Sequence, residues 1–147
     1  MKDQGKAELV RYRIAKARET YNEVAILVKN QLWNTAVNRL YYSCFYAVIA
    51  LLANEEIDSQ THSGARQMFG LHFIKTGKID PEMGRFLARL FDLRQTVDYD
   101  DFIDFDQEKV MELPSNSDTL ICIELTNGGR FHKGSLFQYR TGQCLHV

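Results

Sequence analysis

Residues 40–53 read LYYSCFYAVIALLA, a stretch of 14 residues without a charged side chain. Apolar residues continue at helical spacing on both sides and cover most of the helix circumference. A helix that is apolar around most of its circumference must be surrounded by other elements. We therefore predict a central buried helix from about Trp33 to Asn54, with Asn34 as its N-terminal cap. A membrane span needs roughly 20 apolar residues, so this stretch is too short to cross a bilayer.

The preceding segment, residues 7–30, has a narrower apolar stripe. Its members are spaced alternately four and three positions apart, which is the pattern of one face of an amphipathic helix. They are Val10, Ile14, Ala17, Tyr21, Val24 and Val28. Charged residues lie off this stripe, so we predict a long first helix that packs one face on the central helix.

Two short polar segments bound a third helix. The stretch EEIDSQTHSG, residues 55–64, turns the chain, and either Thr61 or Ser63 could cap the helix that follows. We predict that this helix runs through Phe73. Gly77 follows its end, and glycine adopts the left-handed cap conformation at the lowest cost.

The pair Asp80-Pro81 predicts the start of a fourth helix, because it combines a side-chain acceptor with a proline in the first turn. We expect this helix to reach about Tyr99. After an acidic turn, a fifth helix is predicted from about Asp106 to Pro114.

Residues 114–147 differ from the rest of the chain. They contain four of the nine glycines and two of the three cysteines, and they show no helical period. We expect this atypical tail to be disordered or weakly structured, and a changed reading frame is one explanation for it. The predicted fold is an all-α, antiparallel up-and-down bundle of four to five helices over residues 7–113, followed by this irregular tail.

The overall charge limits the classes of function. The 147 residues include 18 basic and 19 acidic side chains, a balance that argues against a protein whose whole surface is built to attract nucleic acid. The opening MKDQGKAELV has no apolar core of a secretory leader, and the three cysteines form no CxxC pair. We expect a cytoplasmic protein that does not associate with membranes and has neither disulfides nor a zinc site. No cofactor is indicated.

The stretch LRQTVDYDDF, residues 93–102, is the strongest candidate for a site that handles charge. Arg94 alone fits a helix-end cation that complements the helix dipole. Asp98 does not, because a carboxylate in the last turn faces that dipole unfavourably and the Arg-before-Asp order is the weaker orientation of a helix pair. Asp98 therefore needs a partner. Tyr99 could stack on a base or contact a phosphate, and a tyrosine that covers the core is the equal alternative.

Acidic residues are frequent around this helix end, which raises the question of a metal site. They are Asp98, Asp100, Asp101, Asp104 and Asp106. Their spacing lacks the glycine and the terminal glutamate of a calcium loop. A solvated turn before the fifth helix is the better interpretation, and we predict no metal site.

Two other segments supply candidate binding residues. Asn38 and Tyr42 are four positions apart on the central helix, and a buried asparagine needs polar partners. We predict that both face Arg94 and Asp98. His62 and Ser63 lie at a helix N-terminus, where backbone N–H groups favour anions, although a simple capping turn is the commoner role of such a segment.

Four stretches in this order and spacing resemble the HEPN domain, in particular its small stand-alone prokaryotic branch. They are ARETYNEVAILVKNQLWNTAVNRLYYSCFYA at 17–47, THSG at 61–64, FIKTG at 73–77 and LRQTVDYDDF at 93–102. The resemblance covers roughly residues 7–113. It implies a helical bundle that forms a homodimer, and often a metal-independent endoribonuclease that acts as a toxin beside a nucleotidyltransferase-type antitoxin.

The resemblance also implies a catalytic signature in which an arginine is followed, after four to six residues, by a histidine. Arg94 matches the arginine. The positions that could hold the histidine are occupied by Tyr99, Asp100 and Asp101. Arginine holds a phosphate through two parallel hydrogen bonds, whereas histidine moves the 2′-hydroxyl proton. His62 could replace the absent histidine from another position.

Two hypotheses follow from the sequence. In the first, the chain is a ribonuclease-like toxin component that binds RNA or a nucleotide at the end of the fourth helix. Arg94 contacts phosphate, Asp98 orients Arg94, and Tyr99 and His62 assist. In the second, the chain is a non-catalytic helical module that docks a nucleotidyltransferase partner.

Overall fold

The computed structural model describes residues 3–99, with side chains described for residues 4–96. Within that range the chain is all-α, as predicted. Four α-helices follow one another: α1 (Asp3–Lys29), α2 (Trp33–Asn54), α3 (His62–Phe69) and α4 (Pro81–Tyr99). The predicted fifth helix, the acidic residues from 100 onward and the tail 114–147 lie outside the described residues.

Helix α2 is the centre of the bundle and contacts α1, α3 and α4. Its buried residues occur all around its circumference: Ala36, Val37, Leu40, Tyr41, Ser43, Cys44, Ala47, Val48, Ala50, Leu51, Leu52 and Ala53. Among the described helices it is the one that is long and apolar enough to span a membrane. However, 67% of its most apolar window is buried inside the fold. It is therefore the core helix that its sequence predicts.

Helix α1 packs along α2 and starts at Asp3, four residues before the predicted start. Ala17 and Val24 of its apolar stripe are buried, and Tyr21 and Val28 pack against the same core. Two helices joined by residues 30–32 alone must run antiparallel, because so short a connection leaves no room for a crossover.

The prediction that Asn34 caps α2 is wrong. The N-cap is Leu32, and no side chain makes a capping hydrogen bond there. The Leu32 N–H donates to the Leu27 carbonyl at 2.9 Å, which closes the end of α1. The Leu32 carbonyl in turn accepts from the Ala36 N–H at 2.9 Å, which opens α2. Because Leu32 both ends α1 and precedes the first residue of α2, Asn34 already lies inside the first turn of α2.

Helix α3 begins as predicted from one of its two candidate caps. The Thr61 Oγ1 accepts a hydrogen bond from the Gly64 N–H at 2.9 Å, so Thr61 and not Ser63 is the cap. A Cβ at position 64 would lie 2.8 Å from that same oxygen, which explains the glycine there. The helix continues through Phe73 as a π-helical turn, Gly70–Ile74.

Helix α4 begins as predicted from the Asp80-Pro81 pair. The Asp80 carboxylate accepts a hydrogen bond from the Glu82 N–H at 2.8 Å, and Pro81 is the first helical residue. The inward face of α4 is formed by Met83, Phe86, Leu87 and Leu90, all of which are buried. These contacts bring the C-terminal half of α4, including Arg94, next to α2 and α3.

Two glycines on either side of Ile74 give opposite predictions for an alanine substitution. Gly70 has helical angles (φ −58°, ψ −46°) and open space where the Cβ of an alanine would lie, whereas Gly77 has φ +79°. We expect Gly70→Ala to raise the free energy of unfolding by about 0.5–1 kcal/mol, since alanine favours the helix. We expect Gly77→Ala to lower it by about 1 kcal/mol, since L-residues avoid that conformation. Urea unfolding of both variants tests this, and a change of the same sign in both would contradict it.

Candidate functional site

Side chains from three helices meet where α4 crosses α2 near the start of α3. Tyr41, Tyr42 and Phe45 come from α2, His62 from α3 and Arg94 from α4, and we call these five residues the Arg94 cluster. Tyr41 and Phe45 are four residues apart and therefore share one face of α2. Four of the five residues are partly exposed, and only Tyr41 is fully buried. The cluster therefore lies at the edge of the core and is partly open to solvent.

Arg94 donates a hydrogen bond to Tyr42 and lies near two aromatic rings. Its Nη2 donates to the Tyr42 hydroxyl at 3.0 Å. Its Cζ lies 5.4 Å from the ring centroid of Tyr41 and 5.4 Å from that of Tyr42, within the range of cation–π attraction. The predicted meeting of Tyr42 and Arg94 across the bundle is therefore confirmed. These contacts fix the direction of the guanidinium, and Arg94 as a residue remains partly exposed.

His62 is the first residue of α3, so the Thr61 cap determines where its side chain starts. Its Nδ1 lies 2.7 Å from the Tyr41 hydroxyl. Its ring stacks on Phe45 with the centroids 4.0 Å apart and the planes at 12°, and it meets Tyr42 edge-on at 5.8 Å. With Nδ1 engaged by Tyr41, any further chemistry of the ring is directed to Nε2.

Burial and charge fix the protonation states of this pair. Burial lowers the pKa of His62 from its ordinary value of 6.5, and the positive charge of Arg94 lowers it further. Burial raises the pKa of Tyr41 to about 12, although Arg94 and then Arg66 act in the opposite direction. At neutral pH the imidazole is therefore neutral and the phenol keeps its proton. A neutral imidazole beside a fixed guanidinium can accept a proton from a group that the guanidinium binds.

Arg66 adds a second cation to this region. It lies on α3, and its Cζ is 4.3 Å from the ring centroid of Phe91 on α4. Its charge also reaches the Tyr41 hydroxyl. Two arginines fixed on aromatic rings around one opening form a local basic site in a chain whose formal net charge is −1.

The other predicted site residues have different outcomes. Asn38 is partly buried on α2, one turn before Tyr42, and its contact with Arg94 stays a prediction. Ser63 is exposed, and its hydroxyl lies 3.4 Å from the Thr61 hydroxyl. The backbone of Asp98 and Tyr99 belongs to α4, but their side chains lie outside the described residues. Their roles stay predictions.

Sequence reasoning missed Tyr41 and Arg66 as site residues. The helical period places Tyr41 in the core, which is correct for its ring, but its hydroxyl needs a partner inside that core. Its place beside Tyr42 in the charge-free stretch 40–53 is the signal that could have found it. Arg66 gives no such signal, because an arginine in the last turn of a short helix is an ordinary helix-end cation.

Two further features bear on what this region can bind. His62 and Phe45 line a cavity of about 700 Å³ between α1, α2 and the segment that leads to α3. Within residues 4–96, no three His, Cys, Asp or Glu side chains are grouped as ligands for a metal ion.

Comparison with known proteins relates the chain to one family. The family model for the HEPN domain matches residues 10–125. A UPF0332 protein of Thermotoga maritima is 38% identical over 107 residues, which are 73% of this chain and 81% of that protein. A Methanocaldococcus jannaschii protein named a putative toxin is 33% identical over 132 residues, which are 90% of this chain and 78% of that protein. A second protein of that organism, with the same kind of name, is 36% identical over 83 residues, which are 56% of this chain and 62% of that protein.

The titration of His62 tests the electrostatics of the cluster. We expect its pKa, followed through the ring C2 proton by NMR, to lie below 6.5 in the wild-type protein. In Arg94→Gln the pKa should rise, because a neighbouring positive charge is removed, and it should stay below 6.5, because burial remains. His62→Gln assigns the resonance. A wild-type pKa at or above 6.5, or one that Arg94→Gln leaves unchanged, would contradict this account.

Proposed function

The chain belongs to the HEPN domain family, and from that premise we propose that it binds single-stranded RNA at the Arg94 cluster and cleaves it as a toxin-type endoribonuclease. One observation carries the proposal. A guanidinium fixed by a tyrosine hydroxyl lies in the same cluster as a histidine whose pKa is lowered. The names of the two Methanocaldococcus jannaschii relatives support the toxin-type assignment.

Arg94 is the proposed phosphate contact. A guanidinium can place two parallel N–H donors on two phosphate oxygens, and it keeps its charge at every physiological pH. The Tyr42 hydroxyl and the rings of Tyr41 and Tyr42 hold Arg94 in one direction. Arg94 therefore loses less side-chain freedom when RNA binds. Arg66 would add charge along the path of the RNA backbone.

His62 is the proposed general base. In the tautomer whose Nδ1–H donates to the Tyr41 hydroxyl oxygen, the Nε2 of His62 carries no proton. This Nε2 removes the proton of a ribose 2′-hydroxyl, and the 2′-oxygen attacks the adjacent phosphorus. The bond from phosphorus to the 5′-oxygen breaks, and the departing 5′-oxygen takes a proton from water. The products carry a 2′,3′-cyclic phosphate and a 5′-hydroxyl. Arg94 stabilises the charge that accumulates on the non-bridging oxygens. His62 would thus supply, from α3, the proton transfer for which the sequence has no histidine at positions 99–101.

The remaining predicted residues fit around this centre as part of the proposal. Asp98 would orient Arg94 from the next turn of α4, and Tyr99 would stack on a base or contact a phosphate. Asn38 and Ser63 would contact the RNA on either side. A homodimer would bring two such clusters together, and a nucleotidyltransferase-type antitoxin would be the partner that restrains the activity.

A second candidate function is a non-catalytic module that docks such a nucleotidyltransferase. The observation that favours it is a pair of exposed large apolar side chains on α1. Tyr12 and Ile26 are 65% and 64% exposed, and positions fourteen apart lie within about 40° of each other around a helix. Large apolar side chains on the same side of a helix can each insert into the surface of a partner protein.

Cleavage of a labelled single-stranded RNA in the presence of EDTA tests the proposed function. We expect the full chain to cut it. Arg94→Ala and His62→Ala should each slow the reaction by about 10²–10⁴-fold, because each removes a group that acts in the transition state. Arg89→Ala, an exposed arginine on the same helix, and His72→Ala are the matched controls and should cut at the wild-type rate.

Three outcomes would decide against metal-independent cleavage at the Arg94 cluster. The first is RNA that stays intact with the wild-type protein, and the second is cleavage that persists in Arg94→Ala. The third is cleavage that EDTA abolishes. If RNA stays intact while a nucleotidyltransferase co-purifies with the wild-type chain and not with a Tyr12→Ser, Ile26→Ser variant, the docking module is the function.

A further inference from the structure

The cavity beside His62 is lined by two kinds of residue. Apolar residues include Ile49, Leu52 and Ile57, and we call them the floor. The charged lining residues are Arg13, Glu56 and Asp58, and we call them the rim. With a volume of about 700 Å³, the cavity falls within the usual range of small-molecule sites, about 300–1,000 Å³. A lining that combines apolar and charged residues suits a flat ring system with hydrogen-bonding edges.

The charge of the rim argues for an uncharged ring and against a phosphate. Two carboxylates and one guanidinium line the cavity, and His62 is neutral at physiological pH because its pKa is lowered. The sum is negative, so a phosphate would be repelled there. A phosphate is favoured instead at Arg94, which donates to Tyr42, the ring that meets the same histidine edge-on. The two places thus suit two different parts of one nucleotide chain.

The polar groups of the rim match one base. Arg13 is anchored, since its Nη1 donates to the Ile49 carbonyl at 2.9 Å, and a guanidinium has five N–H donors in all. Guanine offers two adjacent acceptors, O6 and N7, which an arginine fork recognises. It also offers two adjacent donors, N1–H and the N2 amino group, which one carboxylate can accept together. Adenine, cytosine and uracil lack the two adjacent acceptors, the two adjacent donors, or both.

We propose that this cavity is a guanine-selective subsite that takes one unpaired base of the RNA substrate. Arg13 contacts the O6/N7 edge, Glu56 with Asp58 beside it accepts from N1–H and N2, and the apolar floor packs against the ring. This inference rests on the proposed function, because it assigns a base to the RNA whose phosphate Arg94 binds. It makes the enzyme specific for single-stranded RNA with guanine beside the cleaved bond, since a paired base has its N1–H and N2 groups occupied.

The four nucleosides are the direct probes. Guanosine, adenosine, cytidine and uridine are titrated separately into the full chain, and the His62 resonance is followed by NMR. We expect guanosine to bind at least about tenfold more tightly than the other three, as one well-made pair of hydrogen bonds would provide. Glu56→Gln and Arg13→Lys should each weaken guanosine binding by about tenfold. The glutamine side chain has one acceptor oxygen in place of two, and the lysine ammonium cannot place two parallel N–H donors on O6 and N7.

Glu55→Gln is the matched control, because it makes the same change of charge on the neighbouring exposed residue, which does not line the cavity. It should bind guanosine as the wild type does. Equal binding of all four nucleosides, no binding of guanosine, or equal loss in Glu55→Gln and Glu56→Gln would overturn the proposal.

Two further results separate this subsite from the proposed function. Guanosine carries no phosphate, so Arg94→Ala should still bind it while losing RNA cleavage. Guanosine binding without any RNA cleavage by the wild type supports the guanine site and rejects the proposed ribonuclease. RNA cleavage that shows no preference for guanine beside the cut, together with no guanosine binding, rejects the guanine site and leaves the ribonuclease standing.

Discussion

The burial of α2 is the constraint on which the rest of this structure depends. Its apolar residues surround the helix, so α1, α3 and α4 must all pack against it. Tyr41 and Tyr42 bring two hydroxyl groups into that packing, and a buried hydroxyl without a partner costs free energy. The partners come from the neighbouring helices: His62 Nδ1 for Tyr41 and Arg94 Nη2 for Tyr42. The polar groups that complete the core are therefore the same groups that form the candidate site.

This arrangement couples stability to chemistry. Arg94 lies over both tyrosine rings and donates to one of them, so its side chain is positioned by the core. Burial, with the charge of Arg94 as the smaller cause, lowers the pKa of His62 and keeps it neutral, which a proton acceptor requires. Tyr41 keeps its proton because its pKa is about 12. One cluster thus provides both a cation of the kind that can bind phosphate and a neutral imidazole that can take a proton. The cavity that His62 lines has the volume of a small-molecule site, and our proposal assigns one RNA base to it.

Local chemistry in the sequence predicted most of the fold. The range of α2 follows from its lack of a polar face, and the starts of α3 and α4 follow from the side-chain acceptors of Thr61 and Asp80. The meeting of Tyr42 and Arg94 was also predictable, because both are polar groups on helices that must pack together. Asn34 failed as a cap because a single residue, Leu32, closes one helix and opens the next. The pairing of Tyr41 with His62 joins residues 21 positions apart, and no local pattern encodes it.

The most direct test of this account removes only the two hydroxyl groups. In Tyr41→Phe, Tyr42→Phe the rings and the core volume remain, and each lost hydrogen bond should cost about 0.5–1.5 kcal/mol of stability. The account predicts a folded protein whose single-turnover cleavage of single-stranded RNA falls to the level of Arg94→Ala, because Arg94 and His62 lose the groups that position them. A folded double variant that cleaves RNA at the wild-type rate would contradict it.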